Sequence, residues 1–123
     1  VGTLGKVYVV SDEYEFYFKD GNIIWFQISG NVNSEFLRQL YLTQLITKQI
    51  DDASAGTTVG TYTITGAKKT NILFPSLDEQ EAIAAILSDM DTEIAALETR
   101  LAKTRSLKQG MMHNLLSGKI RLL

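Results

Sequence analysis

The chain has 123 residues, 45% of them hydrophobic and 21% charged, with a formal net charge of −2. This is enough for one small domain plus an extension, of ordinary soluble composition. It excludes disulfides and thiolate metal sites, because there is no cysteine, and no apolar run approaches the roughly 18 residues a membrane span needs. The slight acidity argues against a generally basic nucleic-acid binder, so the placement of charge matters more than its sum. There is no signal-peptide pattern at Val1, which suits a cytoplasmic protein. A first residue other than Met suggests a processed or excised piece.

In chain order, Val7 to Val10, Tyr14 to Phe18 and Ile23 to Ile28 are rich in β-branched and aromatic residues. Turn residues separate them at Ser11-Asp12 and Asp20-Gly21-Asn22, and all three read as strands. Asn33 or Ser34 is placed to cap a helix with Phe36, Leu37, Leu40, Tyr41 and Leu45 on one face. Asp51 to Gly60 reads as a loop. Tyr62 to Thr65 alternates like a short strand, and Asn71 to Phe74 reads as another. The pattern changes at Pro75, the only proline. Ser76 and Glu79 have capping-box spacing, Pro75 blocks backward extension of a helix, and Asp78, Glu79 and Glu81 suit the positive end of the helix dipole.

From there the chain reads as one long helix. Ile83, Leu87, Met90, Ile94, Leu97 and Leu101 alternate steps of four and three, which is a heptad seam. The seam continues through the polar Thr104 and Lys108 to Met111 and Leu115. Gly110 costs about 1 kcal/mol against Ala within a helix, and Gly118 is placed to stop it. A helix of about 60 Å is longer than a globule of the preceding residues, roughly 30 Å across. Part of the seam is therefore expected to need a second helix. Seven acids and no bases lie between Asp78 and Glu98; six bases and no acids follow from Arg100. Parallel copies would place like charges together, whereas an antiparallel partner sets acid against base. The same distribution also suits the helix dipole on its own.

Chemistry-bearing motifs are few. Gly2-Thr3-Leu4-Gly5-Lys6-Val7 is too short for a phosphate-binding loop, and Val7 stands where Ser or Thr would bind magnesium. His113 is the only histidine, with no second His or Cys for a metal site. Asp51-Asp52 reads as a solvated helix end. Adenine methyltransferases carry a double proline in the catalytic loop, and one proline cannot supply it. No catalytic or metal-binding residues are expected. Lys68 and Lys69, with the hydroxyl-rich stretch Ser54, Thr57, Thr58 and Thr61 and with Tyr62, form a polar cluster suited to phosphate contacts or simply to a solvated loop.

The segment Phe74-Pro75-Ser76-Leu77-Asp78-Glu79-Gln80-Glu81-Ala82-Ile83-Ala84 resembles a junction in the specificity subunits of type I restriction–modification enzymes. There a target-recognition domain ends in Pro-Pro-Leu-x-Glu-Gln and a conserved helical spacer begins. Ser76 replaces the usual second proline. Leu107 to Met112 and Leu115 to Leu122 resemble the family's C-terminal signature, and Gly2 to Val7 its Gly-x-x-Gly-Lys turn. The resemblance implies a non-catalytic subunit that reads a split site on double-stranded DNA, with two conserved helices packed antiparallel. It implies methyltransferase subunits as direct partners and restriction subunits as indirect ones. S-adenosylmethionine, Mg and ATP would sit on those partners, and this chain would carry no cofactor. It also implies that the first half of this recognition domain precedes Val1.

The expected architecture is α+β: a small strand-rich globular part with one short helix, then a long coiled-coil-type C-terminal helix. Residues 1–75 would be the partial DNA-recognition domain and 76–123 the helical spacer. Thr57, Thr58, Tyr62, Lys68 and Lys69 would face DNA. Ile83, Leu87, Met90, Ile94, Leu97, Leu101, Met111 and Leu115 would meet the partner helix, belonging either to the rest of the same subunit or to a second copy. The competing reading is a helical assembly module that self-pairs antiparallel, or binds a partner helix, without itself reading DNA.

Overall fold

The computed structural model describes residues 4–10, 15, 17, 23–55 and 60–122. Four helices follow in order: α1 (Ser34–Tyr41), α2 (Gln44–Ser54), α3 (Ile64–Lys69) and α4 (Leu77–Leu116). The chain divides into two compact units, Val1–Ala85 and Ile86–Leu123, and the boundary falls within α4.

The expected strands are not found, which corrects the α+β assignment: among the described residues there is no strand. Residues 7–10 and 23–28 carry no regular secondary structure, and most of Tyr14 to Phe18 lies outside the described residues. The composition that suggested strands reports half-burial rather than pairing. Residues 4–10 alternate between exposed and half-buried, and Val7 packs on the core, but a strand also needs a second backbone to take its hydrogen bonds. Tyr62 to Thr65 is a helix entry instead. Thr63 is the N-cap of α3, its hydroxyl accepting from the Gly66 amide at 3.1 Å. A β-branched residue that looks like part of a strand is thus a cap. Asn71 to Phe74 is irregular.

α1 starts where its cap chemistry dictates: the Asn33 side chain accepts from the Phe36 amide at 2.9 Å. Glu35 and Arg38 pair one turn apart. The helix does not continue to Leu45 as its apolar spacing suggested. It stops at Tyr41, and the Leu42 and Thr43 amides each donate to carbonyls three residues back, at 3.1 Å. The Thr43 hydroxyl donates to the Leu40 carbonyl at 2.7 Å, a local bond that competes with helix continuation. α2 then starts anew at Gln44, turning Ile46 and Ile50 inward and leaving Leu45 exposed. It absorbs Asp51 to Ser54, the start of the expected loop; residues 56–59 of that loop lie outside the described residues.

The core of the N-terminal unit is Tyr41, Ile46 and Ile50, with Val7, Leu37, Leu40, Tyr62 and Ile72 packed against it. α2 packs between α1 and α3. Phe26 tilts against Tyr41 with ring centroids 5.5 Å apart, and Phe36 against Phe74 at 6.4 Å. Such aromatic pairs contribute about 0.5–1.5 kcal/mol beyond their buried area. Gly5 takes a left-handed φ of 77° beneath Ile50, a conformation that favours glycine. Burial, with the adjacent Tyr62 phenol adding its hydrogen bond, pushes the Tyr41 phenol well above its ordinary pKa.

α4 is held to this unit by one polar residue. Gln80 is 1% exposed. Its Oε1 accepts from the Asn33 amide at 3.0 Å, and its Nε2 donates to the carbonyls of Pro75 at 2.9 Å and Asn31 at 3.3 Å. Ala84, one turn later on the same face, is also buried. The Ser76 hydroxyl accepts from the Glu79 amide at 3.4 Å, the first half of the expected capping box. At the far end Gly118 has φ 73°, its amide donates to Leu115 and the Ile120 amide to Asn114, so the expected glycine stop is present.

Replacing Gln80 by Ala would leave the Asn33 amide and two carbonyls without partners. We expect a loss of about 2–4 kcal/mol in urea unfolding, with faster hydrogen exchange at Asn33. A raised native pKa at Tyr41 supplies stability that is fully present below the unfolded phenol value of about 10 and is lost as pH climbs above it. Circular dichroism from pH 9 to 11 should show unfolding beginning above pH 10 in the wild type. Tyr41→Phe should remove a measurable part of that dependence; an unchanged profile would contradict the assignment.

Candidate functional site

α3 carries the basic residues singled out above. Lys68 and Lys69 fill its last turn and are exposed, where positive charge complements the helix dipole. A six-residue helix is marginal by itself, and side chains hold this one at both ends. Thr63 caps the start, the Tyr62 hydroxyl hydrogen-bonds the Thr70 hydroxyl beyond the end, and Thr70 Oγ1 also bonds the Gly66 carbonyl at 3.2 Å. Gly66 sits against the Tyr62 ring and Ala53 of α2, where an added Cβ would make ordinary contacts of 3.5 and 3.6 Å. The two lysines are thus presented on a clamped helix rather than on the loose loop their composition suggested.

Lys68 and Lys69 lie at the end of α3, whereas Tyr62 precedes its Thr63 cap. The lysines face solvent, while Tyr62 is half-buried, packs on the core and has its hydroxyl engaged by Thr70. Thr57 and Thr58 lie outside the described residues. Asp51 and Asp52 are exposed in the last turn of α2, the solvated helix end expected for them. His113 is exposed in the last turn of α4, with the Lys119 Nζ 3.5 Å from its Nε2.

The seam residues fall in two environments. Ile83, in the N-terminal unit, is half-buried. In the second unit Leu87 and Leu115 are half-buried, but Met90, Ile94, Leu97, Leu101 and Met111 are each 44–55% exposed. No described residue from Ile86 onward is buried. About half of each of these surfaces is still wet, so covering the rest would contribute roughly half of the 1.5–3 kcal/mol of full burial. These residues form a row of large apolar side chains about half exposed along α4.

Two features escaped the sequence reading. Gln80 was visible only as part of the junction motif; its role follows from three partners that converge from Asn31, Asn33 and Pro75. An open, mainly apolar groove of about 390 Å³ is lined by Leu40, Leu45, Gln49, Asn71, Ile72 and Leu73. The Gln49 amide exchanges hydrogen bonds with the Asn71 backbone beside it, at 2.9 and 3.1 Å. Leu45 and Leu73, at 64% and 93% exposed, looked like core residues by type, and only packing shows otherwise. No helix among the described residues is long and apolar enough to cross a membrane.

No solved structure matches the chain. The family model described as the type I restriction modification DNA specificity domain matches residues 2–104, spanning the N-terminal unit and more than half of α4. That match covers most of the chain, and the protein belongs to this family of DNA specificity domains.

Proposed function

We propose that the chain is the non-catalytic DNA-reading part of a type I restriction–modification specificity subunit, acting in the cytoplasm. Its role is to position methyltransferase subunits, and through them restriction subunits, on a bipartite site in double-stranded DNA. The family match over residues 2–104 carries this reading. Residues 1–75 serve recognition and residues 76–123 serve as the helical spacer. S-adenosylmethionine, Mg and ATP belong to the partner subunits.

On this reading α3 lies against DNA. Lys68 and Lys69, exposed on its last turn, are point charges suited to phosphate oxygens. Thr57 and Thr58 join them in the DNA-facing set, with base contacts in the major groove supplying sequence preference, while Tyr62, also expected there, packs on the core and supports α3 from behind. The net charge of −2 is no obstacle, because phosphate contact depends on charge at the interface rather than on the total. The wet stripe of α4, running from Ile83 to Leu115, is the surface that meets an antiparallel partner helix.

A second reading is an assembly module that contributes only α4 and reads no DNA. The exposed stripe on α4 favours it. The two readings separate in one titration. A complex assembled with the methyltransferase subunits should bind labelled duplex with an affinity that falls steeply between 50 and 200 mM salt. Lys68→Ala with Lys69→Ala should weaken binding similarly on all sequences and reduce the salt slope by roughly two. Assembly that proceeds normally with salt-insensitive DNA binding, or an unchanged slope in the double variant, would favour the module.

A further inference from the structure

Three hydroxyls join the core of the N-terminal unit to the end of α3, and their hydrogen bonds can run in only one direction. The Gly66 carbonyl can only accept, so the Thr70 hydroxyl gives its single proton there, at 3.2 Å. Thr70 Oγ1 must then accept from the Tyr62 phenol. The Tyr62 oxygen is left to accept in turn from the buried Tyr41 phenol. The raised pKa of Tyr41 agrees, since a phenol that donates holds its proton more tightly. The order is therefore Tyr41 to Tyr62 to Thr70 to Gly66, running from the last residue of α1 to the C-cap of α3. Thr70 directly follows Lys69. The next residue, Asn71, is fixed from α2: its amide donates to Gln49 Oε1 at 2.9 Å, and its carbonyl accepts from Gln49 Nε2 at 3.1 Å.

We propose that Thr70 and Gln49 are positioning residues for DNA contact: they pin the end of α3 from α1 and from α2, and so fix where Lys68 and Lys69 stand. The proposal rests on the reading that these lysines meet phosphate. A lysine ammonium is a point charge on a flexible stem. Its backbone must already be placed if two adjacent lysines are to reach phosphates without ordering more of the chain on binding. Neither positioning residue has to touch DNA. Thr70 is half-buried, with its hydroxyl engaged as donor and as acceptor. Gln49 has its oxygen on the Asn71 amide and its nitrogen on the carbonyls of Leu45 and Asn71. Hydrogen bonds that all point one way polarise one another, so removing the last member loosens the whole chain. Valine in place of Thr70 keeps the shape of the side chain but removes both the donor to Gly66 and the acceptor for Tyr62.

A double-mutant cycle on the complex assembled with the methyltransferase subunits separates positioning from plain stability. Thr70→Val should weaken binding of a labelled duplex about five-fold on all sequences. Thr70→Ser, which keeps the hydroxyl, should bind as the wild type does. Placed on Lys68→Ala with Lys69→Ala, Thr70→Val should cause no further loss, because no charge remains to be placed. Gln49→Met frees Asn71 at an exposed position, where water replaces the lost bonds. It therefore keeps the fold even where Thr70→Val does not, and it should follow the same pattern. Equal losses with and without the lysines would overturn the proposal and leave Thr70 and Gln49 as purely structural residues. Unchanged binding in both Thr70→Val and Gln49→Met would overturn it too, while an effect of the lysine variants would keep their contact with DNA standing. If removing the lysines changes nothing, the reading of α3 falls and the proposal falls with it.

Discussion

Gln80 contributes one neutral amide to a site with 1% of its surface exposed, and that amide joins segments 47 and 49 residues apart in sequence. A buried polar side chain is tolerable only when its hydrogen bonds are made, and here the amide oxygen and nitrogen both find backbone partners. The stretch Asn31 to Asn33 lies just before α1, and Pro75 just before α4. The chain entering α1 and the chain entering α4 are thus tied to one side chain. Asn33 is engaged twice: its side chain caps α1 and its amide donates to Gln80. The start of the first helix and the start of the last therefore depend on the same few atoms.

Around this tie the N-terminal unit is economical. Two short helices, α1 and α2, supply the buried trio of Tyr41, Ile46 and Ile50. Extended or irregular segments contribute Val7 and Ile72, and Tyr62 carries the hydroxyl network out to α3. Side-chain hydrogen bonds do work that sheet pairing does elsewhere: Gln49 holds the Asn71 backbone, Tyr62 holds Thr70, and Gln80 holds Asn33. The second unit has no buried residue among those described, so its stability rests on helix hydrogen bonds, the Gly118 cap and whatever covers its stripe. Gly110 has open space around it and costs about 1 kcal/mol against Ala.

The proposed function divides along the same line. The clamped α3 presents two lysines from the unit that owns a core, while α4 presents a seam from the unit that owns none. On the proposed reading, recognition needs side chains held in place, which the Thr63 cap and the Tyr62 to Thr70 clasp would provide. Assembly needs unburied apolar surface, which the stretch beyond Ala85 provides.

The sequence by itself determined the elements whose signals are local. Asn33 and Ser76 as caps, Gly118 as a stop, and the continuous helix from Leu77 were all legible, because each depends on residues within one or two turns. The lysine pair and the seam were legible as residues for the same reason. Only the tertiary structure decided which irregular segments pair and which do not, and the answer was none among those described: Val7 to Val10 and Ile23 to Ile28 have strand-like composition without strand partners. It also decided that α1 ends at Tyr41 and that Leu45 faces solvent while Ile46 is buried, since burial depends on what packs opposite. The Gln80 tie belongs to the same class. Its partners come from distant parts of the chain, and the spacing of residues along one segment contains no record of which other segment will meet it.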